Sequence, residues 1–329
     1  MSSVSSIFNE AEDLLKHKGY VGAVSVYLMR YRNKTEKDGK LVKFASFYDA
    51  KIDTEIQKKL LENFVAEKAK YDGNDYEYLV NSAPSGGVGS TNVSAFSNVN
   101  NIYDSLEKGK NVVNDLSKMN VNSLKAYVVK LQLPKNKIVY YWGKIKNYSN
   151  LQRKSLIIRK EYSSSKLKNF DIQDTFGFSF EISAIISDNK IYIGDINAFE
   201  SIFSMSDYYK KEAITVIKDV VKSEVVLNSV TDSIGKIALT DARVAKKVMK
   251  IKFRKEVVRA VYDNLNIEIY NEIVNDPNIK DKYAEITYIN GVLGVKDEND
   301  TAQINRFLDF IGDTAKRGIA SKMTSSEAL

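Results

Sequence analysis

Three acidic residues around one predicted strand are the best candidates for catalysis in this sequence. Asp171, Asp174 and Glu181 border a strand that begins near Phe176. Carboxylate oxygens are the ligands that Mg²⁺ prefers, and converging carboxylates hold the metal ions of many nucleases. Carboxylates at strand ends are common, however, and no Glu-x-Lys run of the nuclease kind follows a strand here. We therefore interpret these residues as surface groups and keep a metal-dependent nuclease as an alternative.

A glycine-rich segment at residues 81–93 has part of the pattern of a phosphate-binding loop. Its GGVGST run follows a short predicted strand and precedes a predicted helix. A P-loop carries a lysine directly before its Ser/Thr pair, and this cation neutralises the β- and γ-phosphates. The segment has no such lysine, so we interpret it as a mobile surface loop.

The residues on which many hydrolases and oxidoreductases depend are nearly absent. The chain has no cysteine and a single histidine, His17. Thiol catalysis, disulfides, thiolate metal sites and any scheme with two imidazoles are therefore excluded. His17 stands between two lysines at the end of a predicted helix, where a solvated cap residue is expected. We predict no catalytic residue, no metal and no cofactor.

The positive charge lies in two segments, which we call basic block 1 (residues 125–168) and basic block 2 (residues 236–259). The whole chain has a net charge of +7, but block 1 alone carries 12 basic residues against one acidic residue. Block 2 carries nine against two, and the segments that follow each block are acidic. Such segments attract polyanions, above all the phosphates of nucleic acids. The alternative is that the lysines form ordinary solvated faces.

Block 1 also contains aromatic residues among its lysines, namely Tyr127, Tyr140, Tyr141, Trp142, Tyr148 and Tyr162. Cations, hydroxyl groups and flat rings together suit contacts to phosphate, ribose and base. A strand pair with one buried aromatic face would have the same pattern, and that alternative stays open. The phosphate contacts that we predict for block 1 are Lys144, Lys146, Arg153, Lys154, Arg159 and Lys160.

Block 2 has the pattern of an amphipathic helix. Thr240 is the predicted N-cap, and Val244, Val248 and Ile251 form the predicted buried stripe. A cationic helix on a phosphate backbone binds electrostatically, so its affinity falls as the salt concentration rises. A membrane-surface helix and a solvated face packed on the chain's own acidic segments are the alternatives. The phosphate contacts that we predict for block 2 are Arg243, Lys246, Lys247, Lys250 and Arg254.

Hydrophobic periodicity predicts the elements that position these residues. The predicted helices cover residues 4–16, 53–70, 94–119, 197–203, 207–227, 240–264, 267–274 and 301–311. The predicted strands cover residues 22–32, 41–47, 76–80, 123–133, 137–145, 156–161, 176–187, 190–193, 285–289 and 292–295. Strands followed by helices favour an α+β fold, with helices packed on an antiparallel sheet and a helix-rich C-terminal half.

Neither a signal peptide nor a membrane-spanning segment is predicted. No run of about 18 uncharged apolar residues occurs, and the N-terminus lacks the order of a basic and then an apolar region. We therefore expect a soluble, cytoplasmic protein.

Two segments of the second half resemble a known family. The strand NKIYIGD at residues 189–195 precedes AFESIFSMSDYYKKEAITVIKDV, in which Phe199, Glu200 and Phe203 form an F-E-x-x-F motif. The later run INGVLGVKDENDTAQINRFLDFIGDT, at residues 289–314, resembles the last strand and the last helix of that family, which precede a short C-terminal tail. This order is similar to that of the KwaB-like family of the Kiwa phage-defence system, over roughly residues 120–315.

The resemblance implies a cytoplasmic protein that binds DNA, is not an enzyme and self-associates. It also implies a small membrane-embedded partner, KwaA, which would recruit the chain to the inner face of the membrane. It carries over no catalytic residue and no DNA contact. The predicted domains are a smaller α/β region at residues 1–120, a KwaB-like α+β domain at residues 121–315 and a polar tail at residues 316–329.

The leading hypothesis is a protein that binds double-stranded DNA largely without sequence preference and obstructs phage replication or transcription. A structural or signalling module that docks a membrane protein or an acidic partner through the same surfaces is the alternative from another class.

Overall fold

The computed structural model describes residues 4–35, 39, 41–71, 75–77, 88–116, 119–147, 155–160, 166–168, 175–252, 255–278 and 280–317. The chain divides into two compact units, the first made of residues 1–78 and 82–205 and the second of residues 79–81 and 206–329. Helices and a mostly antiparallel sheet confirm the predicted α+β class. The compact units divide the chain at a different place from the predicted domain boundary near residue 120.

The first unit is built around one large sheet. Its described strands are β1 (Val24–Thr35), β2 (Leu41–Ile52), β3 (Asp75–Glu77), β4 (Val88–Asn92), β5 (Val112–Val113), β6 (Leu124–Gln132), β7 (Ile138–Asn147), β8 (Ser155–Lys160), β9 (Lys166–Lys168), β10 (Thr175–Ser187) and β11 (Lys190–Ile193). The strand order is β3-β4-β11-β10-β7-β6-β1-β2-β9-β8, and β5 pairs with β2. Because β8 also pairs with β10, the strands β10-β7-β6-β1-β2-β9-β8 form a closed ring of pairings.

Helices pack on the sheet of this unit. They are α1 (Val4–Lys16), α2 (Thr54–Ala66), α3 (Lys68–Tyr71), α4 (Ser97–Glu107) and α5 (Ile196–Ile202). Asp53 caps α2, because its carboxylate accepts the backbone N–H of Ile56 at 2.7 Å. Phe64 of α2 stacks on Phe8 of α1 at 4.6 Å and on Tyr141 of β7 at 5.2 Å. These ring contacts join both helices to the sheet.

Two predictions for the first unit are wrong in part. The predicted helix at residues 94–119 ends at Glu107, because Gly109 and Asn111 adopt positive φ and the chain then pairs with β2. Residues 88–92 of the predicted glycine-rich loop form β4, which pairs with β11, while residues 81–87 lie outside the described residues. Between the predicted strands 176–187 and 190–193, Asp188 and Asn189 form a two-residue turn with φ of 50° and 61°.

The second unit is mainly helical. Its described elements are α6 (Met205–Val216) with a π-helical continuation (Ile217–Val221), α7 (Asn228–Thr240), α8 (Ala242–Lys252), α9 (Lys255–Asn264), α10 (Ile267–Val274), the hairpin β12 (Ile286–Ile289) and β13 (Val292–Val295), and α11 (Thr301–Arg317). α11 packs on α7, α8 and α9. None of the described helices is long and apolar enough to cross a membrane.

The helix boundaries around block 2 differ from the prediction. α7 was not predicted, and the predicted helix at residues 240–264 is two helices, α8 and α9. Thr240 is the last residue of α7 rather than an N-cap, and its hydroxyl donates to the Ile237 carbonyl at 3.1 Å. Asp241 has extended backbone and accepts the Arg243 N–H at 2.7 Å, so it occupies the capping position of α8.

Candidate nucleic-acid interface

The aromatic residues of block 1 are core residues where the structure describes them. Tyr127, Tyr140, Tyr141 and Trp142 are each at most 2% exposed. Tyr127 stacks on Phe178 at 4.3 Å, and burial raises its pKa as it donates to the Ser179 carbonyl. The interpretation of these four rings as nucleic-acid contacts is therefore wrong, and the buried aromatic alternative applies to them. Tyr148 and Tyr162 lie outside the described residues.

Lys144 and Lys146 lie where β7 leaves the core. Both are partly exposed, in contrast to the fully buried residues 139–143 before them. Lys144 faces Ala126 of β6, and Lys146 faces Gly177 of β10. Among the described residues, no carboxylate forms an ion pair with either lysine.

Two further predicted contacts of block 1 belong to β8. Arg159 faces Thr175 of β10, and Lys160 faces Leu167 of β9. Because β7 and β8 both pair with β10, Lys146 and Arg159 are two strands apart, roughly 10 Å across the sheet. Arg153 and Lys154 lie outside the described residues. The fold thus brings the backbone positions of residues 146 and 159 together, although 12 residues separate them in sequence.

Three cations that were not predicted as contacts lie in the adjoining pairings. Lys51 of β2 faces Lys166 of β9, and Lys168 of β9 faces Arg159 of β8. Lys166 and Lys168 belong to block 1 by composition, but their short strand was not predicted. Lys51 lies outside both blocks and is exposed. Its position beside the cations of block 1 follows from the long-range pairing of β2 with β9.

Block 2 forms α8, and its buried stripe is confirmed. Val244, Val248 and Ile251 are at most 3% exposed. Arg243 is exposed, but its guanidinium lies 2.9 Å from the carboxylate of Asp241, which lowers the pKa of Asp241. The cation at the start of the helix therefore already has an internal counter-charge.

Three other predicted contacts of block 2, Lys246, Lys247 and Lys250, are partly buried. Lys247 Nζ lies 2.8 Å from Asp309 and 3.2 Å from the Asn305 carbonyl, both on α11. Lys246 and Lys250 are partly exposed and each takes part in at least one interaction. Arg254 lies outside the described residues. Lys247 thus links α8 to α11 through these two contacts.

The candidate catalytic residues form no site among the described residues. Glu181 is exposed, and Asp171 and Asp174 lie outside the described part of the chain. Within that part, no group of three or more histidine and carboxylate side chains converges as metal ligands would. His17 is exposed, with Nδ1 at 2.9 Å from the Asp13 carbonyl, as expected at a helix end.

A bulge in β10 sets the register of the strands that carry the block 1 cations. The pairing of β10 with β7 shifts between Phe178 and Ile182. Asn63 donates to the Phe180 carbonyl at 2.9 Å and Tyr71 to the Ile182 carbonyl at 3.1 Å. The Ile182 N–H donates to Glu67, whose pKa is nevertheless raised because burial disfavours its charge. Asn63 of α2, Glu67 between α2 and α3, and Tyr71 at the end of α3 thus fix the bulge.

Comparisons with known proteins agree with the resemblance of the second half. Neither the curated proteins nor the solved structures contain a significant match to this chain. The family described as Kiwa protein KwaB-like matches residues 121–316, which is more than half of the chain. The chain therefore belongs to the KwaB-like family and is a component of the Kiwa anti-phage defence system.

Proposed function

We propose that this chain binds double-stranded DNA through phosphate contacts, largely without reading sequence, and that its occupancy of phage DNA obstructs replication or transcription. The action proposed is binding rather than catalysis. Phosphate contacts fix a protein on the duplex but carry little sequence information. A defence protein that acts on unrelated phages would benefit from that lack of preference.

The observation that carries the proposal is that Lys144 and Lys146 are partly exposed and form no ion pair with a carboxylate of the described residues. Described carboxylates neutralise Arg243 and Lys247 of block 2, whereas no described carboxylate pairs with these two lysines of β7. A partly exposed cation without an internal partner can release counterions from DNA when it meets a phosphate. Block 1 is therefore the primary surface of the proposal. Block 2 contributes through Lys246 and Lys250, and less strongly through Arg243 because of its ion pair with Asp241.

The test is a binding titration with a duplex of about 30 base pairs at several salt concentrations. One variant combines Lys144→Glu, Lys146→Glu and Lys154→Glu, and a second combines Arg243→Glu, Lys246→Glu and Lys250→Glu. Each lost phosphate contact should lower the salt slope of log K by about one unit. We expect the first variant to lose more affinity than the second, because no described carboxylate pairs with Lys144 or Lys146, whereas Arg243 pairs with Asp241.

The matched control is Lys211→Glu, which changes the same charge at an exposed lysine outside both blocks. Its affinity and salt slope should stay close to those of the unaltered protein. Unchanged affinity in both triple variants would refute the assignment of the surfaces. Denaturing gels of the same mixtures with Mg²⁺ should show intact DNA, and cleavage that EDTA abolishes would favour the nuclease alternative.

Membership of the Kiwa system also supports a partner proposal. We propose that a KwaA-like membrane protein recruits this chain to the inner face of the membrane, and that the chain self-associates. Competitor DNA should leave such a protein interface intact in a pull-down, whereas a bridge made by shared nucleic acid should be lost.

A further inference from the structure

The hairpin of β1 and β2 extends beyond the rest of the sheet. β1 pairs with β6 only as far as Arg30, whereas its pairing with β2 continues for five more residues. On the other side, β5 and β9 pair with β2 only from Phe47 onwards. Residues 31–35 and 41–45 therefore form a two-stranded ribbon, which no other described strand flanks. We call these residues the ribbon, and at about 3.4 Å per residue it is about 14 Å long.

One face of the ribbon is held against the end of α5. The Tyr31 hydroxyl donates to the Ile202 carbonyl at 2.7 Å, and Lys43 Nζ lies 3.1 Å from Ser204 Oγ. Lys43 Nζ also lies over the Tyr31 ring, 4.6 Å from its centroid. These contacts fix the orientation of the ribbon on the first unit.

The opposite face carries the cations of β1. Arg30, Arg32 and Lys34 occupy alternate positions, so they share the face that α5 does not hold, about 7 Å apart along the strand. Arg32 and Lys34 are exposed, and they face Phe44 and Val42 across the ribbon. Among the described residues, no carboxylate forms an ion pair with Arg30, Arg32 or Lys34. The ribbon therefore presents a row of positive charge on one face.

Arg30 stands at the base of this row. Its guanidinium lies over the Tyr48 ring, 4.8 Å from the centroid. Its Nε is buried, and no hydrogen-bond partner for it lies in the described part of the chain. A cation–π contact holds a cation without neutralising its charge. The base of the row is thus fixed in position and still positive.

The ribbon lies at the same end of the sheet as the lysines of β7. Ala126 of β6 faces both Met29 of β1 and Lys144 of β7, so Lys144 is two strands from β1, roughly 10 Å across the sheet. β1 and β7 are both antiparallel to β6, and they therefore run in the same direction. β7 continues from Lys144 to Lys146 towards the end of the sheet at which β1 continues into the ribbon. The cations of the ribbon thus adjoin the proposed contacts of block 1.

We propose that the ribbon is a further contact surface for double-stranded DNA, on which Arg32 and Lys34 bind phosphates next to those bound by Lys144 and Lys146. This inference rests on the proposed function, and it names contacts that lie outside both basic blocks and outside the residues of the family match. Two-stranded β-ribbons bind DNA in other proteins, and the major groove, about 12 Å wide, accepts one. A ribbon anchored on one face and cationic on the other suits a rigid, regularly charged partner.

The test is the salt dependence of binding of the full chain to a duplex of about 30 base pairs. Arg32→Glu combined with Lys34→Glu should lower the affinity several-fold and reduce the salt slope by about two units, because two phosphate contacts are lost. Arg32→Lys combined with Lys34→Arg keeps both charges and should keep the slope. Adding Lys144→Glu and Lys146→Glu to the first variant should reduce the slope by about four units, because the two sets contact different phosphates.

The charge-matched control combines Lys211→Glu with Lys218→Glu, which changes two exposed lysines of the second unit. Its affinity and salt slope should stay close to those of the unaltered protein. Thermal unfolding shows whether each variant keeps its fold. Arg32→Gln combined with Lys34→Gln adds no carboxylate, and it should lose about two units of slope at an unchanged melting temperature.

Three results would overturn this inference. The glutamate and glutamine variants of the ribbon could both bind with the affinity and slope of the unaltered protein. The cations would then serve only to keep an exposed strand edge from pairing with other chains, and a loss of affinity in the block 1 variant would leave the proposed function standing. An equal loss in the charge-matched control would show that net charge, and not the ribbon, is responsible. Failure of the unaltered protein to bind any duplex would overturn this inference and the proposed function together.

Discussion

At the scale of single residues, Lys247 and Lys144 carry the same charge in different surroundings. Lys247 Nζ contacts Asp309 and the Asn305 carbonyl, so its charge is satisfied within the second unit. Lys144 faces the methyl group of Ala126 and has no described carboxylate partner. Both belong to basic blocks, and both were predicted as phosphate contacts. We therefore expect Lys247 to stabilise the second unit, and Lys144 is the better candidate for a phosphate contact.

The variant Lys247→Ala should destabilise the protein without a large effect on DNA affinity. It removes a partly exposed ion pair and a hydrogen bond to a carbonyl, which together contribute about 1 kcal/mol. Urea unfolding should detect this loss in the free energy of unfolding. Asp309→Asn is the control, because it weakens the same contact and keeps the cation. A drop in DNA affinity with Lys247→Ala alone would return Lys247 to the contact surface.

Glu67 gives the protein a pH-dependent stability. Burial raises its pKa above the ordinary value of 4.5, so the folded state favours the protonated carboxyl. The stabilising contribution of Glu67 to the free energy of unfolding is fully present below pH 4.5, and it is lost as the pH rises through the raised pKa. Glu67→Gln stays neutral and can still accept the Ile182 N–H. We expect it to melt above the unaltered protein at about pH 7.5, with a smaller difference at about pH 4.

The control for this pH effect is Glu62→Gln on α2, where the carboxylate is exposed beside Lys58. Its melting temperature should change little between the two pH values. A Glu67→Gln variant that melts lower than the unaltered protein at neutral pH would show that the charge of Glu67 is needed by the β10 bulge.

At the scale of elements, Gly143 allows β7 to lie against the core. A methyl group at this position would overlap the ring of Tyr127. Gly143→Ala should therefore lower the free energy of unfolding by about 1–3 kcal/mol, as overpacked cores do. Gly235→Ala in α7 is the control, because nothing lies within 4 Å of the added carbon and alanine favours the helix. Equal stability of both variants in urea would contradict this packing.

The elements that were predicted well are those with strong local signals. α1 and α2 have clear apolar stripes, and Asp53 supplies a local cap, so their positions followed from nearby residues. The hairpin turn at Asp188 and Asn189 is equally local. α7 was not predicted, because Gly235 and several Ser/Thr residues reduce its helix propensity while tertiary packing stabilises it.

The proposed contact surface was less predictable for a different physical reason. Composition identified block 1, but it could not separate cations that lie near each other in space from those that do not. The register of Lys51 with Lys166 joins residues that are more than 100 positions apart. Likewise, alternating Tyr and Lys residues describe an aromatic binding surface and a buried sheet equally well, and only burial distinguishes them.

At the scale of the whole molecule, the family match and the charge distribution concern overlapping parts of the chain. The KwaB-like match at residues 121–316 contains both basic blocks. Block 1 lies in the first compact unit and block 2 in the second. Each unit therefore has its own cationic segment, and the two can be altered independently in one full-length protein.

The most direct test of the account is the salt dependence of duplex binding by the unaltered protein and by the Lys144→Glu, Lys146→Glu, Lys154→Glu variant. We predict that log K falls linearly with log salt for the unaltered protein and that the slope of the variant is smaller by about three units. Equal slopes would contradict the claim that these lysines of block 1 bind phosphates.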